Sequence, residues 1–117
     1  MNWETYYDRF YDWEESTRLR HLSALTDFGP SSEVCELAVD FPERKHADCL
    51  IRKALAAKVS FTFEEVSELN GIVDGSLMFP LMRSVRSISP EELDELSHLL
   101  TEEELRMLAE KHGVRLD

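Results

Sequence analysis

The sequence predicts an all-α protein in which short antiparallel helices form about three stacked helical-hairpin repeats (a small α-solenoid or bundle), with an N-terminal aromatic capping helix. Three observations support this prediction. The second half of the chain repeats itself, capping residues mark several helix starts, and six of the eleven aromatic residues fall within the first thirteen positions. Self-similarity at a period of about 20–50 residues is typical of stacked helical units.

The first helix is predicted over residues 3–14. Projected at about 100° per residue, its aromatic side chains occupy an arc of about 160°, and polar side chains fill the remainder. These aromatic residues are Trp3, Tyr6, Tyr7, Phe10, Tyr11 and Trp13. The arc fits a cap over the apolar end of the first repeat, and it also fits a protein-binding face, because Trp and Tyr dominate interface hot spots. Tyr11 and Trp13 lie at its edges and are the candidates for exposed interaction residues.

The next three helices are predicted over residues 16–26, 31–41 and 43–57. The Gly29-Pro30 pair marks the clearest break, and Ser31 or Ser32 is expected to cap the helix that follows. The segment EVCEL (33–37) echoes EVSEL (65–69), which indicates a weak first copy of the repeat with an insertion near residues 42–46. The basic residues within 44–58 are interpreted as a solvated helix face that pairs with the acidic half of the chain.

The repeat is clearest between residues 61–82 and 88–109, which align without a gap at an offset of 27 residues. The acidic pair at 64–65 matches the pair at 91–92, and the apolar residues at 61, 66, 69, 72, 73, 78 and 81 match apolar residues 27 positions later. Each copy has the length of two short helices. The second half is therefore predicted to hold two antiparallel helical hairpins.

Capping residues place the helix starts in these hairpins. Thr62, Ser89 and Thr101 are each followed three residues later by Glu, which is a capping box, and Asp74 is a fourth candidate cap. Helices are therefore predicted over residues 62–72, 74–85, 89–99 and 101–112. Gly113 suits the left-handed residue that ends a helix.

The chain is predicted to form a single domain over residues 1–117, with the N-terminal cap at 1–28, the helical repeats at 31–112 and a tail at 113–117. The helical spacing of apolar residues predicts the core. The predicted core residues are Trp3, Phe10, Leu22, Leu25, Val34, Leu37, Leu50, Ile51, Leu55, Val66, Leu69, Val73, Met78, Leu81, Leu93, Leu96, Leu99, Leu105 and Leu108.

The net charge of −11 narrows the choice of partners, and residues 61–117 hold 13 of the 24 acidic residues but only 5 of the 13 basic ones. A field of this sign repels nucleic acid and anionic lipid. It therefore argues against direct binding to nucleic acid or membranes and favours a protein partner that is basic or itself binds nucleic acid. No apolar run approaches the roughly 18 residues that span a bilayer. Two cysteines without a signal-peptide pattern predict free thiols and a cytoplasmic location.

The last two predicted helices carry the candidate acidic interaction surface. The candidate residues are Glu91, Glu92, Asp94, Glu95, Glu102, Glu103 and Glu104. Two interpretations are open, because carboxylates in first turns stabilise helix N-termini and a row of carboxylates can also substitute for phosphates. Clustering on one surface favours recognition, and dispersal over separate helix ends favours capping.

Patterns that would support catalysis or a cofactor are weak. Glu-x-x-His occurs at Glu43–His46 and Glu95–His98, as in di-iron carboxylate bundles, but those bundles use long helices and the helices predicted here are short. Cys35, His46 and Cys49 lack the close ligand pairs of a zinc site. No phosphate-binding loop or nucleophile motif occurs. The sequence therefore predicts no cofactor, no metal and no enzymatic activity, with a metal enzyme as the least favoured alternative.

The opening MNWETYYDRFYDW and the stretch SALTDFGPSSEV (23–34) resemble a group of small uncharacterised acidic proteins encoded on bacterial mobile genetic elements. The resemblance covers the first third of the chain and implies a setting: an accessory protein of a mobile element or of its host. We therefore expect a non-enzymatic helical-repeat module for protein–protein interaction. The alternative is a DNA mimic that inhibits a nuclease defence system (anti-restriction or anti-CRISPR).

Overall fold

The computed structural model describes residues 1–115 and confirms the all-α class, while residues 116–117 of the predicted tail lie outside the described residues. Within the described part there are eight α-helices. They are α1 (Trp3–Arg9), α2 (Glu15–Ser23), α3 (Ser31–Asp40), α4 (Arg44–Ala56), α5 (Phe63–Leu69), α6 (Met78–Ser84), α7 (Pro90–Leu96) and α8 (Glu102–His112). Short 3₁₀ turns follow α1 (Phe10–Asp12), precede α6 (Gly75–Leu77) and follow α7 (Ser97–Leu99).

The three predicted capping boxes are confirmed. The Thr62 hydroxyl accepts a hydrogen bond from the Glu65 N–H at 3.2 Å, and Glu65 Oε1 accepts one from the Thr62 N–H at 2.9 Å. The boxes at Ser89 and Thr101 repeat this geometry, with the equivalent contacts at 2.9–3.2 Å. Each box satisfies two backbone donors that a helix start would otherwise leave without a partner.

Of the remaining helix-end predictions, two are confirmed and one is wrong. Asp74 caps the turn before α6 by accepting from a backbone N–H two residues later at 2.8 Å, as predicted. Gly113 ends α8 in the left-handed conformation, with a φ of 66°. The cap predicted at Ser31 or Ser32 is wrong, because Pro30 occupies the N-cap position in an extended conformation and both serines fall inside α3.

Removing one cap tests how much these boxes stabilise the fold. Thr101→Ala is expected to lower the free energy of unfolding by about 1 kcal/mol, because the N–H of Glu104 loses its acceptor. Thr101→Ser keeps the hydroxyl and should stay within about 0.5 kcal/mol of the natural protein. Chemical denaturation followed by circular dichroism measures both variants. Equal losses in the two would show that the hydroxyl is not what stabilises this helix start.

The helices pack mainly on neighbours one or two positions away in the chain order. α3 packs on α4 and α5, α5 packs on α6, and α6 packs on both α4 and α8. α4, α6 and α8 therefore lie side by side, and the molecule is elongated, with principal extents of 49 × 22 × 19 Å. The three-copy repeat itself stays a prediction. None of the helices in residues 1–115 combines the length and apolar character that crossing a bilayer requires.

One core cluster of buried residues extends from Trp3 to Ala109. Most predicted core residues are buried, but Leu25, Leu55, Leu99 and Leu105 are only half-buried. Leu25 lies two residues beyond α2 and Leu99 ends a 3₁₀ turn, whereas Leu55 and Leu105 line surface grooves. Packing on one side of each residue is therefore incomplete. The buried polar residue is Asp48, whose Oδ1 accepts from the Asp74 N–H at 2.8 Å and so ties α4 to the turn before α6.

Of the six N-terminal aromatic residues, three are buried, two are half-buried and one is exposed. Trp3, Tyr6 and Phe10 are buried. The Trp3 and Tyr6 rings stack with centroids 5.9 Å apart, and Phe10 meets Phe41 edge-on at 5.0 Å. These contacts make α1 part of the core, as the capping interpretation requires. The Tyr11 side chain stays 54% exposed, so the same segment also presents a ring to solvent.

Candidate functional site

Helix α3 places a row of carboxylates beside the N-terminal aromatic residues. Its apolar side, which includes Val34 and Leu37, is buried in the core. Glu33, Glu36 and Asp40 follow one another at intervals of three and four residues, so they share the side of α3 that meets the α1 segment. The amphipathic character of α3 therefore fixes where these acids lie.

Three aromatic donors bind this row. Trp3 Nε1 donates to Glu33 Oε1 at 2.9 Å. The Tyr7 hydroxyl donates to Glu36 Oε2 at 3.0 Å. The Tyr11 hydroxyl donates to Glu36 at 3.4 Å and also to an Asp40 carboxylate oxygen. The α1 segment is thus held to α3 by charge-assisted hydrogen bonds as well as by ring packing.

These contacts keep the tyrosines protonated. The hydrogen bond to Glu36 raises the pKa of Tyr7 above its usual value. Partial desolvation, together with the hydrogen bond to Asp40, raises the pKa of Tyr11. Both hydroxyls therefore remain hydrogen-bond donors at neutral pH.

A shallow groove of about 270 Å³ runs between α3 and α5 beside these tyrosines. Its carboxylates are Glu36 and Asp40 from α3 and Glu65 and Glu68 from α5. Within residues 1–115 no Lys or Arg lines it. We call this groove, with Tyr7 and Tyr11 at its side, the acidic–aromatic groove. Its chemistry is that of an acceptor for cationic groups.

Cys35 lies buried at the base of the acidic–aromatic groove, with its Sγ 3.8 Å from Glu68 Oε2. Burial, reinforced by the charge of Glu68, raises the pKa of Cys35 to about 12. The thiol is therefore protonated at physiological pH, and a protonated thiol is a poor nucleophile. Cys35 therefore contributes packing to the groove.

The two aromatic candidates, Tyr11 and Trp13, lie in different environments. Tyr11 is exposed, as expected, and lies at the acidic–aromatic groove. Trp13 is half-buried and not the exposed ring that was expected, because it stacks on His21 at 4.3 Å and meets Tyr6 edge-on at 5.7 Å. The cause is local: α1 ends at Arg9, and the 3₁₀ turn that follows directs Trp13 towards α2.

The predicted acidic residues of α7 and α8 lie in three kinds of surroundings. Glu92 and Glu104 are occupied in capping boxes. Asp94 and Glu102 line a groove that also contains Arg106 and Arg115. The remaining candidates, Glu91, Glu95 and Glu103, are exposed.

Neither Glu-x-x-His motif forms a metal centre. His46 Nδ1 lies 2.6 Å from Glu15 Oε1, and its Nε2 lies 3.8 Å from Glu43 Oε2, so this imidazole joins α2 to the start of α4. His98 is exposed. In the part of the chain that the structure describes, no group of three or more His, Cys, Asp or Glu side chains is arranged to hold a metal ion.

The carboxylates of the acidic–aromatic groove were not among the predicted site residues. The only sequence pattern that indicates them is the spacing of acidic residues on α3, opposite its apolar side. That spacing is also typical of an ordinary solvated helix face. Comparison of the chain with protein-family models, curated proteins and solved structures found no match in any of the three.

Proposed function

We propose that this protein is a non-enzymatic interaction module that binds a basic segment of another protein through the acidic–aromatic groove. The observation that carries the proposal is the set of three carboxylates outside capping boxes, Glu36, Asp40 and Glu68, around one groove that no described Lys or Arg lines. Lys and Arg pair with carboxylates, and they are also attracted to the face of an exposed tyrosine ring such as Tyr11. The setting we propose is the one implied by the resemblance: an accessory protein of a mobile element or its host, acting in the cytoplasm.

A DNA mimic remains the second candidate function, but on a different surface from the one first expected. The row on α7 and α8 supports it weakly, because two of its acids cap helices and two others share a groove with arginines. The acidic–aromatic groove supports it better, since its carboxylates have no cationic neighbour among the described residues. Duplex DNA that displaces the protein from its partner would favour this alternative.

Neutralising the groove should weaken binding to a basic probe. The test variant combines Glu36→Gln, Asp40→Asn and Glu68→Gln and leaves Glu65 in its capping box. We expect it to bind a labelled peptide rich in Lys and Arg about tenfold more weakly at about 0.15 M salt, because three ion pairs of modest strength are lost. Fluorescence anisotropy gives the dissociation constants, and thermal unfolding checks that the fold is retained.

The control variant removes the same charge elsewhere. It combines Glu91→Gln, Asp94→Asn and Glu95→Gln, which are exposed and lie outside the acidic–aromatic groove. At about 0.15 M salt the screening length is about 8 Å, so distant charges should change binding less than about threefold. Equal weakening in both variants would mean that the peptide senses net charge alone, which would refute the groove. Capture of partners from lysate with the same three proteins then identifies the natural ligand.

A further inference from the structure

A second groove, opposite in charge, lies where α4, α6 and α8 end. Lys58 follows the end of α4, Arg83 lies in the last turn of α6, and Lys111 lies in the last turn of α8. All three line one groove of about 460 Å³, together with the apolar side chains of Phe79 and Pro80. No carboxylate of residues 1–115 lines this groove. We call it the basic groove.

Such a groove is unexpected in a chain with 24 acidic and 13 basic residues. The basic residues of 44–58 were expected to pair with the acidic half of the chain. Within residues 1–115 the Lys and Arg side chains of 44–58 form one close ion pair, the local one between Lys45 and Glu43, so the expected close pairs with the acidic half do not form there. Lys58, Arg83 and Lys111 form no ion pair within residues 1–115.

Stabilisation of helix C-termini by cations explains only part of the arrangement of Lys58, Arg83 and Lys111. A cation in a last turn favours the helix dipole, and Lys111 Nζ also donates to the Arg83 carbonyl oxygen. That role does not require the three cations to share a groove with apolar side chains. Lys58 moreover adopts the left-handed backbone conformation, with a φ of 67°, at a position after a helix where glycine is the ordinary residue. A glycine there would remove strain and would also remove a charge from the groove.

The packing of α4, α6 and α8 sets the spacing of the three helices that contribute these cations. α6 packs between α4 and α8, and neighbouring helix axes are usually about 8–10 Å apart, so three such helices side by side span about 16–20 Å between the outer axes. An extended peptide rises about 3.3 Å per residue and covers this length with about six residues. One small anion could not contact cations contributed by three adjacent helices as well as such a segment could.

We propose that the basic groove binds an acidic peptide segment of a partner protein. Its carboxylates contact Lys58, Arg83 and Lys111, and its apolar side chains pack on Phe79 and Pro80. The net negative charge of the protein does not prevent this, because acids beyond about 8 Å are largely screened at physiological salt. This inference goes beyond the proposed function, since it assigns a second surface that selects ligands of the opposite sign.

The test uses a labelled seven-residue peptide in which Asp alternates with Leu and Phe, and a twin in which Asn replaces Asp. The natural protein should bind the Asp peptide, and the variant Lys58→Gln, Arg83→Gln, Lys111→Gln should bind it about tenfold more weakly. The control variant Arg9→Gln, Arg20→Gln, Arg52→Gln removes the same charge and should change binding less than about threefold. Arg9 and Arg20 also lie in last turns, so the control matches the effect on helix dipoles.

Four outcomes would overturn the proposal. They are no binding of the Asp peptide, equal binding of the Asn twin, equal weakening by the two triple variants, and displacement of the peptide by inorganic pyrophosphate at micromolar concentration, which would indicate a small-anion site. Sedimentation supplies a fifth: self-association of the natural protein that the groove variant abolishes would make a second copy the occupant. The variants of the acidic–aromatic groove are measured separately, so failure of one proposal does not imply failure of the other.

Discussion

Replacing Phe10 with alanine is expected to lower the free energy of unfolding by about 3–5 kcal/mol. The ring is fully buried and meets Phe41 edge-on at 5.0 Å and Tyr6 at 5.9 Å. The Arg18 guanidinium lies 4.1 Å from its centroid, so the substitution also removes a cation–π contact. The cavity would open where the N-terminal aromatic segment (residues 3–13) meets α2 and the turn before α4. Urea denaturation followed by far-ultraviolet circular dichroism measures the loss.

Met107→Ala serves as the control for this substitution. Met107 is 45% exposed, so its truncation should change the free energy of unfolding by less than about 0.5 kcal/mol. A loss below about 1 kcal/mol for Phe10→Ala would contradict the description of the aromatic segment as part of the core.

Gly29→Ala is expected to cost about 1–3 kcal/mol, because the added methyl group would overlap the indole of Trp3. A Cβ at this position would lie 2.2 Å from Trp3 Cδ1 and 2.4 Å from Nε1. The indole cannot move aside easily, since it is 4% exposed, donates to Glu33 and packs against Tyr6. Thermal and chemical unfolding measure the cost, and the fluorescence of Trp3 should change with its displacement.

A second glycine provides the matched control. A Cβ at Gly75 would have no heavy atom within 4 Å, so Gly75→Ala should stay within about 0.5 kcal/mol of the natural protein. If the two alanine variants were equally stable, the close packing of the Gly29 backbone against Trp3 would be disproved.

The helices could be predicted because their determinants are local. Thr62, Ser89 and Thr101 each satisfy a backbone donor three residues away, so a short segment of sequence contains both partners of each contact. The same locality explains why Glu92 and Glu104 were less suited to a recognition surface than their charge suggested. The capping box that predicts a helix start already uses one oxygen of each of these carboxylates.

The candidate site could not be predicted in the same way, because it depends on contacts between distant segments. Tyr11 and Asp40 are 29 positions apart, and Cys35 and Glu68 are 33 apart. Nothing local indicates that α5 lies beside α3 or that the aromatic segment lies along its acidic side. Trp13 shows a related error, because the projection that placed it at an exposed edge assumed a helix continuing past Arg9.

The contacts between the helices determine which parts of the chain open most easily by local unfolding. α8 packs mainly on α6, whereas the aromatic cluster lies at the α1–α3 end of the order. A helix that packs on few other elements opens at a lower free-energy cost than a helix of the core. Local opening of α7 and α8 therefore breaks few contacts made by the earlier helices, and protection from amide hydrogen exchange should be lower there than in α3 and α4. Lys111 of the basic groove lies on one of these less protected helices, while the acidic–aromatic groove lies on the better protected part.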